Sequence, residues 1–420
     1  MKIKLLFLAL LACVTACSQN LSLETALQQG TYSKLEQAQQ QIVLAQMQLN
    51  IQRTKQLPLL YAEANLQRNL IVPVTPVPSI AFNPNAQAGD ITPLKFATDW
   101  SAKAGLQASL DLFNPVNKLD ITQAKHEITK AVLEKKITET NLKNAIISTY
   151  AQGVLAQQQL QFAIANAKVY DQAYQAVLNR FQAGRVSEYD KNQATQKHLE
   201  LYYLVQEAEA VLVNQFVKLS EFVSIEALDS LVTPIDQIIQ KVHIQNATDD
   251  ESRLQLDQQL NEIQAKKNKL LYLPKLTLNA FYGTNFFNNT LDLTQSNYWY
   301  GNSYVNMALR IPISEGYETH LKSKKLALEN QYITTQLNEA YTATQLKATQ
   351  KANEVLLLHA KIEMLKNALT LSEQNYQIVL QRVLGGRTLV SELSAEFDRY
   401  LQDQKKLWQA QYDLVAKMIE

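Results

Sequence analysis

Arg382-Val383-Leu384-Gly385-Gly386-Arg387-Thr388-Leu389-Val390-Ser391-Glu392-Leu393-Ser394 joins two long proline-free segments. Two glycines at the end of a helical run supply left-handed backbone and turn the chain. Thr388 then offers a hydroxyl where the next helix is expected to start. About two hundred residues earlier stands an echo: Arg180-Phe181-Gln182-Ala183-Gly184-Arg185-Val186-Ser187-Glu188-Tyr189-Asp190. Here again a glycine-arginine pair breaks a helical run, and Ser187 is placed to cap. A chain that makes the same long hairpin twice reads as an internal duplication.

Working outward, each half reads as helix, strand, loop, strand, very long helix, turn, helix. The first repeat is expected over 17–223, with strands at about 58–69 and 100–113 and a helical tip near 183–187. A mixed connector follows at 224–249, with a short amphipathic piece around Ile235 to Val242. The second repeat, 250–420, has strands at about 275–286 and 298–312 and a tip near 384–388. The strand entries match, Leu57-Pro58-Leu59-Leu60 against Leu273-Pro274-Lys275-Leu276. Residues 71–99 carry five of the ten prolines and read as a long irregular loop. The proline-free runs Val116–Gln182 and Tyr317–Val383 predict helices roughly 100 Å long at ~1.5 Å per residue.

Before Cys17 the chain reads as a signal peptide, 1–16: Lys2 and Lys4, then the apolar run Leu5 to Ala12. Val14-Thr15-Ala16-Cys17 resembles a bacterial lipobox, which implies acylation of Cys17; ordinary signal cleavage nearby is the alternative. Cys13 is a weaker candidate, and Ser18 after Cys17 points to the outer membrane. Both cysteines lie in this segment, so the mature body has no disulfide and no thiolate metal site. Losing Lys2 and Lys4 takes the formal charge from +1 to about −1, which gives no sign of a nucleic-acid partner.

The strands carry the functional reading. Leu60, Ala62, Ala64 and Leu66 alternate with Tyr61, Glu63, Asn65 and Gln67. Ala102, Ala104, Leu106, Ala108 and Leu110 alternate with Lys103, Gly105, Gln107 and Asp111, and Met307 and Leu309 with Asn306 and Arg310. Such segments have the length and two-faced pattern of strands crossing a bilayer tilted, greasy outside and wet inside. Trp100, Tyr298, Trp299 and Tyr300 cluster at one strand end as an interfacial aromatic girdle would. Four strands of a soluble sheet, packed on one face, are the alternative. A membrane tolerates no open edge, so four strands require oligomerisation. Two copies give a barrel filled by side chains, whereas three give twelve strands and a passage.

In their order and duplication these features resemble the TolC-like outer-membrane efflux protein family. The opening Leu21-Ser22-Leu23-Glu24-Thr25-Ala26-Leu27, the Leu-Pro strand entries, the exits at Asn114-Pro115 and Ser314-Glu315-Gly316, and both glycine-containing tips carry the resemblance over nearly the whole mature chain. It implies a mainly α fold with a small β part: a homotrimer with a twelve-stranded outer-membrane barrel and a periplasmic α-helical barrel. It implies docking of the tips onto a periplasmic adaptor and an inner-membrane transporter. In that family aspartates often follow the second tip and narrow the tunnel. Here Ser391 and Ser394 stand at those places, and Glu392 is the nearest carboxylate, either a constriction residue or a solvated helix-start acid. Arg185 and Arg387 are expected either to pair with carboxylates and hold the tips shut or to be solvated.

No catalytic constellation, cofactor motif or metal spacing is visible; His126, His198, His243, His320 and His359 are scattered. The expected function is a passive exit duct of a tripartite efflux system rather than an enzyme. A protein-secretion duct and a periplasmic coiled-coil adaptor or structural protein remain the alternatives.

Overall fold

The computed structural model describes residues 19–30, 33–223, 228–242, 249–313 and 316–420. The expected leader with Cys13, Cys17 and Ser18 lies outside the described residues, as do His243 and residues 314–315. In chain order the first half holds β1 (Gln19–Leu21), α1 (Leu23–Gln29), α2 (Ser33–Thr54), β2 (Leu59–Arg68), β3 (Val74–Pro78), β4 (Ile91–Lys95), β5 (Trp100–Phe113), α3 (Asn117–Gln182) and α4 (Glu188–Ser220). Then come β6 (Leu228–Leu231), α5 (Ile235–Lys241), α6 (Asp249–Leu270), β7 (Lys275–Asn288), β8 (Trp299–Arg310), α7 (Gly316–Leu384) and α8 (Val390–Ile419). The fold is mainly helical with a smaller strand part.

Two compact units make up the described chain. One is built from residues within Gln41–Ala131 and Leu254–Thr335, the other from those within Met1–Gln40, Val132–Arg253 and Gln336–Glu420.

The first unit is organised on an antiparallel sheet of order β2-β5-β7-β8. Its register aligns the apolar residues of all four strands. Ala62 faces Leu106, which faces Tyr282, which faces Ser303; Leu60, Ala108, Ala280 and Val305 form the next row. Leu60, Tyr282 and Val305 are 72%, 76% and 72% exposed, so this is an uncovered greasy face. The opposite face carries Glu63, Lys103, Gln107, Asn279, Asn302 and Asn306. There Ser109 donates to Asn279 at 2.9 Å, and Asn279 donates to Asn306 at 3.2 Å. Lys103 pairs with Glu63 at 3.5 Å and lies 4.2 Å from the Phe281 ring centroid. Phe281, buried although on the polar face, covers the facing glycines Gly105 and Gly283. A Cβ added at either would stand 2.6 or 2.7 Å from its Cζ, so a ring occupies the space two side chains would need.

Residues 71–99 correct the expectation of an irregular loop. They form the hairpin β3–β4, with Pro76 opposite Pro93. A two-stranded ribbon consists of edges alone, and on an edge a proline's missing N–H is tolerated. The prolines mask the strand pattern in the sequence. Nor does the sequence show β1 and β6, which pair in parallel over three and four residues, too few for a period to register.

The second unit packs α1, α5 and the β1–β6 pair against α3 and α8. Tyr150 donates to the carbonyl of Leu21 at 2.8 Å and accepts from the Thr233 amide at 3.1 Å. Gln157 exchanges bonds with the Leu231 backbone, accepting at 2.9 Å. Val390, Leu393, Phe397, Tyr400, Leu407, Leu414 and Met418 of α8 are buried at spacings of three, four and seven, one helical face against the core.

Candidate functional site

The two helical tips have the same backbone. Gly184 has φ +70° and Gly386 φ +72°. At the first, Arg185 N–H bonds the carbonyl of Arg180 at 2.8 Å and Gly184 N–H that of Phe181 at 2.9 Å. At the second, Arg387 N–H bonds Arg382 at 2.9 Å and Gly386 N–H bonds Val383 at 3.0 Å. Both are the paired 6→1 and 5→2 closure of a Schellman motif, which satisfies the last carbonyls of a helix and needs a left-handed residue. The starts of the following helices differ. Ser187 caps α4, accepting from the Asp190 amide at 3.1 Å. Thr388 does not cap α8: the cap position is Leu389, with no side-chain bond, and the Thr388 hydroxyl instead meets the Glu392 carboxylate at 3.0 Å. A carboxylate on the first turn takes up the hydroxyl that the backbone would otherwise receive.

Arg180 and Lys197 join the elements of the tip, and the sequence reading named neither as functional. The Arg180 guanidinium donates to the carbonyls of Val383, at 2.6 Å, and Leu384. It thereby satisfies the C-terminal end of α7, where a cation also opposes the helix dipole. Gly386 leaves room for it: a Cβ there would stand 3.3 Å from the guanidinium carbon. Lys197 of α4 pairs with Asp398 of α8 at 2.6 Å and with Glu200 at 3.1 Å. The sequence signal was available for Arg180. It precedes Arg185 by the same five residues that separate Arg382 from Arg387.

Beneath the turns lies an aromatic core. Tyr170, Val177, Tyr376, Leu380, Val383, Leu393, Phe397 and Tyr400 are buried together. Tyr376 stacks on Tyr400 at 5.7 Å between ring centroids. Tyr170 shares a 3.3 Å hydrogen bond with Ser394. Burial pushes the Tyr170 and Tyr400 phenols up to about 12, in Tyr170 against the lowering effect of the Ser394 bond, and pushes Tyr376 up as well. All three are neutral at any ordinary pH.

The expected tip residues are therefore divided. Ser394 turns into the core against Tyr170, Ser391 is half-buried, and Glu392 is exposed on another side of α8. Arg185 and Arg387 are exposed and have no carboxylate partner among the described residues. Of the expected girdle, Trp299 and Tyr298 pack on Phe286, with centroids at 5.4 and 6.3 Å. Trp100 carries the Arg68 guanidinium over its ring at 5.3 Å. Tyr300 stands at the same strand end but on the other face. The register puts it opposite Asn285 on the polar face, where its ring contacts Phe287. Alternation sends neighbours Trp299 and Tyr300 to opposite faces. Among the described residues no helix is long and apolar enough to cross a membrane, and no group of His, Cys, Asp or Glu is placed to hold a metal ion.

Residues 26–201 match the model of a family described as outer membrane efflux protein. No curated protein sequence matches the chain. Solved structures do. The outer membrane protein VceC of Vibrio cholerae is 16% identical with a TM-score of 0.70, covering 94% of this chain and 93% of its own. The CmeC outer membrane channel of Campylobacter jejuni is 14% identical with a TM-score of 0.66, covering 94% and 83%. The MtrE outer membrane channel of Neisseria gonorrhoeae, in its open state, is 15% identical with a TM-score of 0.70, covering 94% and 86%. Residues 26–201 of this chain are thus similar to the outer membrane efflux protein family, and the chain as a whole has the fold of these solved outer-membrane channels.

Proposed function

We propose that three copies of this chain form the outer-membrane duct of a tripartite efflux system, a passive exit for small molecules. The observation that carries the proposal is the open sheet, greasy and exposed on one face, polar on the other, with β2 and β8 unpartnered at its edges. In a bilayer such edges must be closed, and three copies close a twelve-stranded barrel with a passage. A second observation supports self-assembly. Leu357, Met364, Leu371 and Ile378 repeat every seven residues on α7, and all are at least half exposed. A heptad stripe left uncovered on a helix already packed elsewhere is a seam for another helix. The helical barrel then lies in the periplasm. Its tips, with Gly184, Arg185, Gly386 and Arg387 exposed, dock an adaptor that joins an inner-membrane transporter. Cys17 is the lipid-attachment point, and Trp100, Tyr298 and Trp299 mark the membrane interface.

Within this duct Glu392, exposed just after the second tip, contributes a ring of three carboxylates at the constriction. The full chain is purified as detergent-stable trimers and placed in planar bilayers. Cation-preferring conductance is expected, with the preference reduced in Glu392→Ala. Conductance identical in the two proteins at every salt and voltage rejects the ring. A water-soluble monomer that never conducts rejects the duct.

A further inference from the structure

The polar face of the sheet ends, at its helix-proximal side, in a cleft of 670 Å³ lined by Lys55, Lys275, Asp111 and Asp120, with Leu57 and Leu59 beside them. Its acids are engaged. Asp120 pairs with Lys267 at 2.5 Å. Asp111 accepts from Thr277 at 3.2 Å and from Asn114 at 3.0 Å. Its lysines are not: neither Lys55 nor Lys275 has a carboxylate partner among the described residues. Arg310 stands directly across from Lys275 in the β7–β8 register, on the same face, and is likewise without one. Leu57 and Leu59 are 63% and 64% exposed. Two ammonium groups without carboxylate partners lining one cleft attract an anion, which gains charge-assisted hydrogen bonds there. The adjoining leucines offer apolar surface that water covers at a cost.

We propose that this cleft binds amphiphilic anions, with a carboxylate, phosphate or sulfonate head between Lys55 and Lys275 and an apolar tail along Leu57 and Leu59. The inference rests on the polar face being the duct wall, as proposed above, and names anionic amphiphiles as a class of cargo that this wall holds. At the opposite rim the loop 289–298 contains Asp292 and no lysine or arginine, and Arg68 lies over the Trp100 ring.

The test is equilibrium binding to the full-length protein in nonionic detergent, with octanoate, octylammonium and inorganic phosphate as probes. Octanoate is expected to bind, and high salt to weaken it. Octylammonium, which has the same tail, and phosphate, which has no tail, are expected to bind at least about tenfold more weakly. The Lys55→Gln/Lys275→Gln protein is expected to lose about tenfold in octanoate affinity, while Lys118→Gln, outside the cleft, loses none. Equal binding of octanoate and octylammonium by the unaltered protein overturns the site without recourse to any variant. Phosphate binding as tightly as octanoate overturns the amphiphile in favour of a free anion. Conductance of the same preparation separates the two readings. Binding without conductance sinks the duct and leaves the site; conductance without binding sinks the site and leaves the duct.

Discussion

Arg180, on the last turn of α3, holds the carbonyl of Val383 on the last turn of α7, with its guanidinium nitrogen 2.6 Å from the oxygen. The contact ties the first helical tip to the second through the backbone, so it does not depend on which side chain stands at position 383. A charged donor shared by two part-buried carbonyls contributes about 1.5–3 kcal/mol. Arg180→Ala should therefore loosen the second tip without unfolding the sheet. Trypsin cleavage at the exposed Arg185 and Arg387 reads this directly: faster cutting in the variant is expected, and an unchanged rate refutes the clamp. Arg180→Lys, which keeps the charge but not the planar fork, should fall between the two.

The two turn glycines should respond unequally to alanine. Both have left-handed backbone, which costs an L residue about 1–2 kcal/mol. Around Gly184 there is open space, but at Gly386 a Cβ would press on Arg180 at 3.3 Å. Gly386→Ala should accordingly lower the denaturation midpoint more than Gly184→Ala. In an Arg180→Ala background the difference between the two should disappear. Equal effects in the unaltered background would mean that the Arg180 contact contributes nothing.

Neutral phenols underlie a prediction about alkaline pH. Tyr170 has its pKa raised to about 12, above the value near 10 of an unfolded chain. A group whose folded pKa is raised contributes stability in full below the unfolded value, and that stability is lost as pH climbs through the folded one. The tip core should be indifferent to pH through the neutral range and weaken from about pH 10 to 12. Two units correspond to about 3 kcal/mol. Helicity followed by circular dichroism across that window should fall less steeply in Tyr170→Phe than in the unaltered protein. Parallel curves would remove Tyr170 from the account.

The exposed seam on α7 should govern assembly. Met364 and Leu371 are 57% and 62% exposed within one chain. If another chain covers them, each contributes about 1.5–3 kcal/mol on burial, and a carboxylate there is strongly disfavoured. Leu371→Asp should shift the protein from trimer to monomer by native mass spectrometry with its helix content unchanged. A trimer that persists would place the subunit contact elsewhere.

Much of this architecture was legible from residue order. Proline punctuates it: helices give way to strands at Pro58 and Pro274, and Asn114-Pro115 and Pro312 close the returning strands. Alternation identified the two faces because a strand has a strict period of two, and the long helices were marked by the lack of any proline. The repeated glycine-arginine pair located both tips because a left-handed residue is a local requirement. Other features were hidden from a reading by residue pattern. The β3–β4 hairpin lies hidden under prolines that edge strands tolerate. Phe281 reads as a misplaced apolar residue until the register sets it over Gly105 and Gly283. Thr388 reads as a cap until Glu392 engages it.

By itself the sequence determined what each residue's neighbours in the chain dictate: the long helices, the four long strands, the glycine turns and the two-sidedness of the sheet. The tertiary structure decided which partners meet across those spans. It brought Arg180 to the end of α7, turned Ser394 inward while Glu392 stayed outside, and gathered Lys55 and Lys275 into one cleft. Periodicity is set by bonds along the backbone. Those meetings depend on the packing of helices and the register of strands that are far apart in the sequence, and a one-residue slip in either would change every pair.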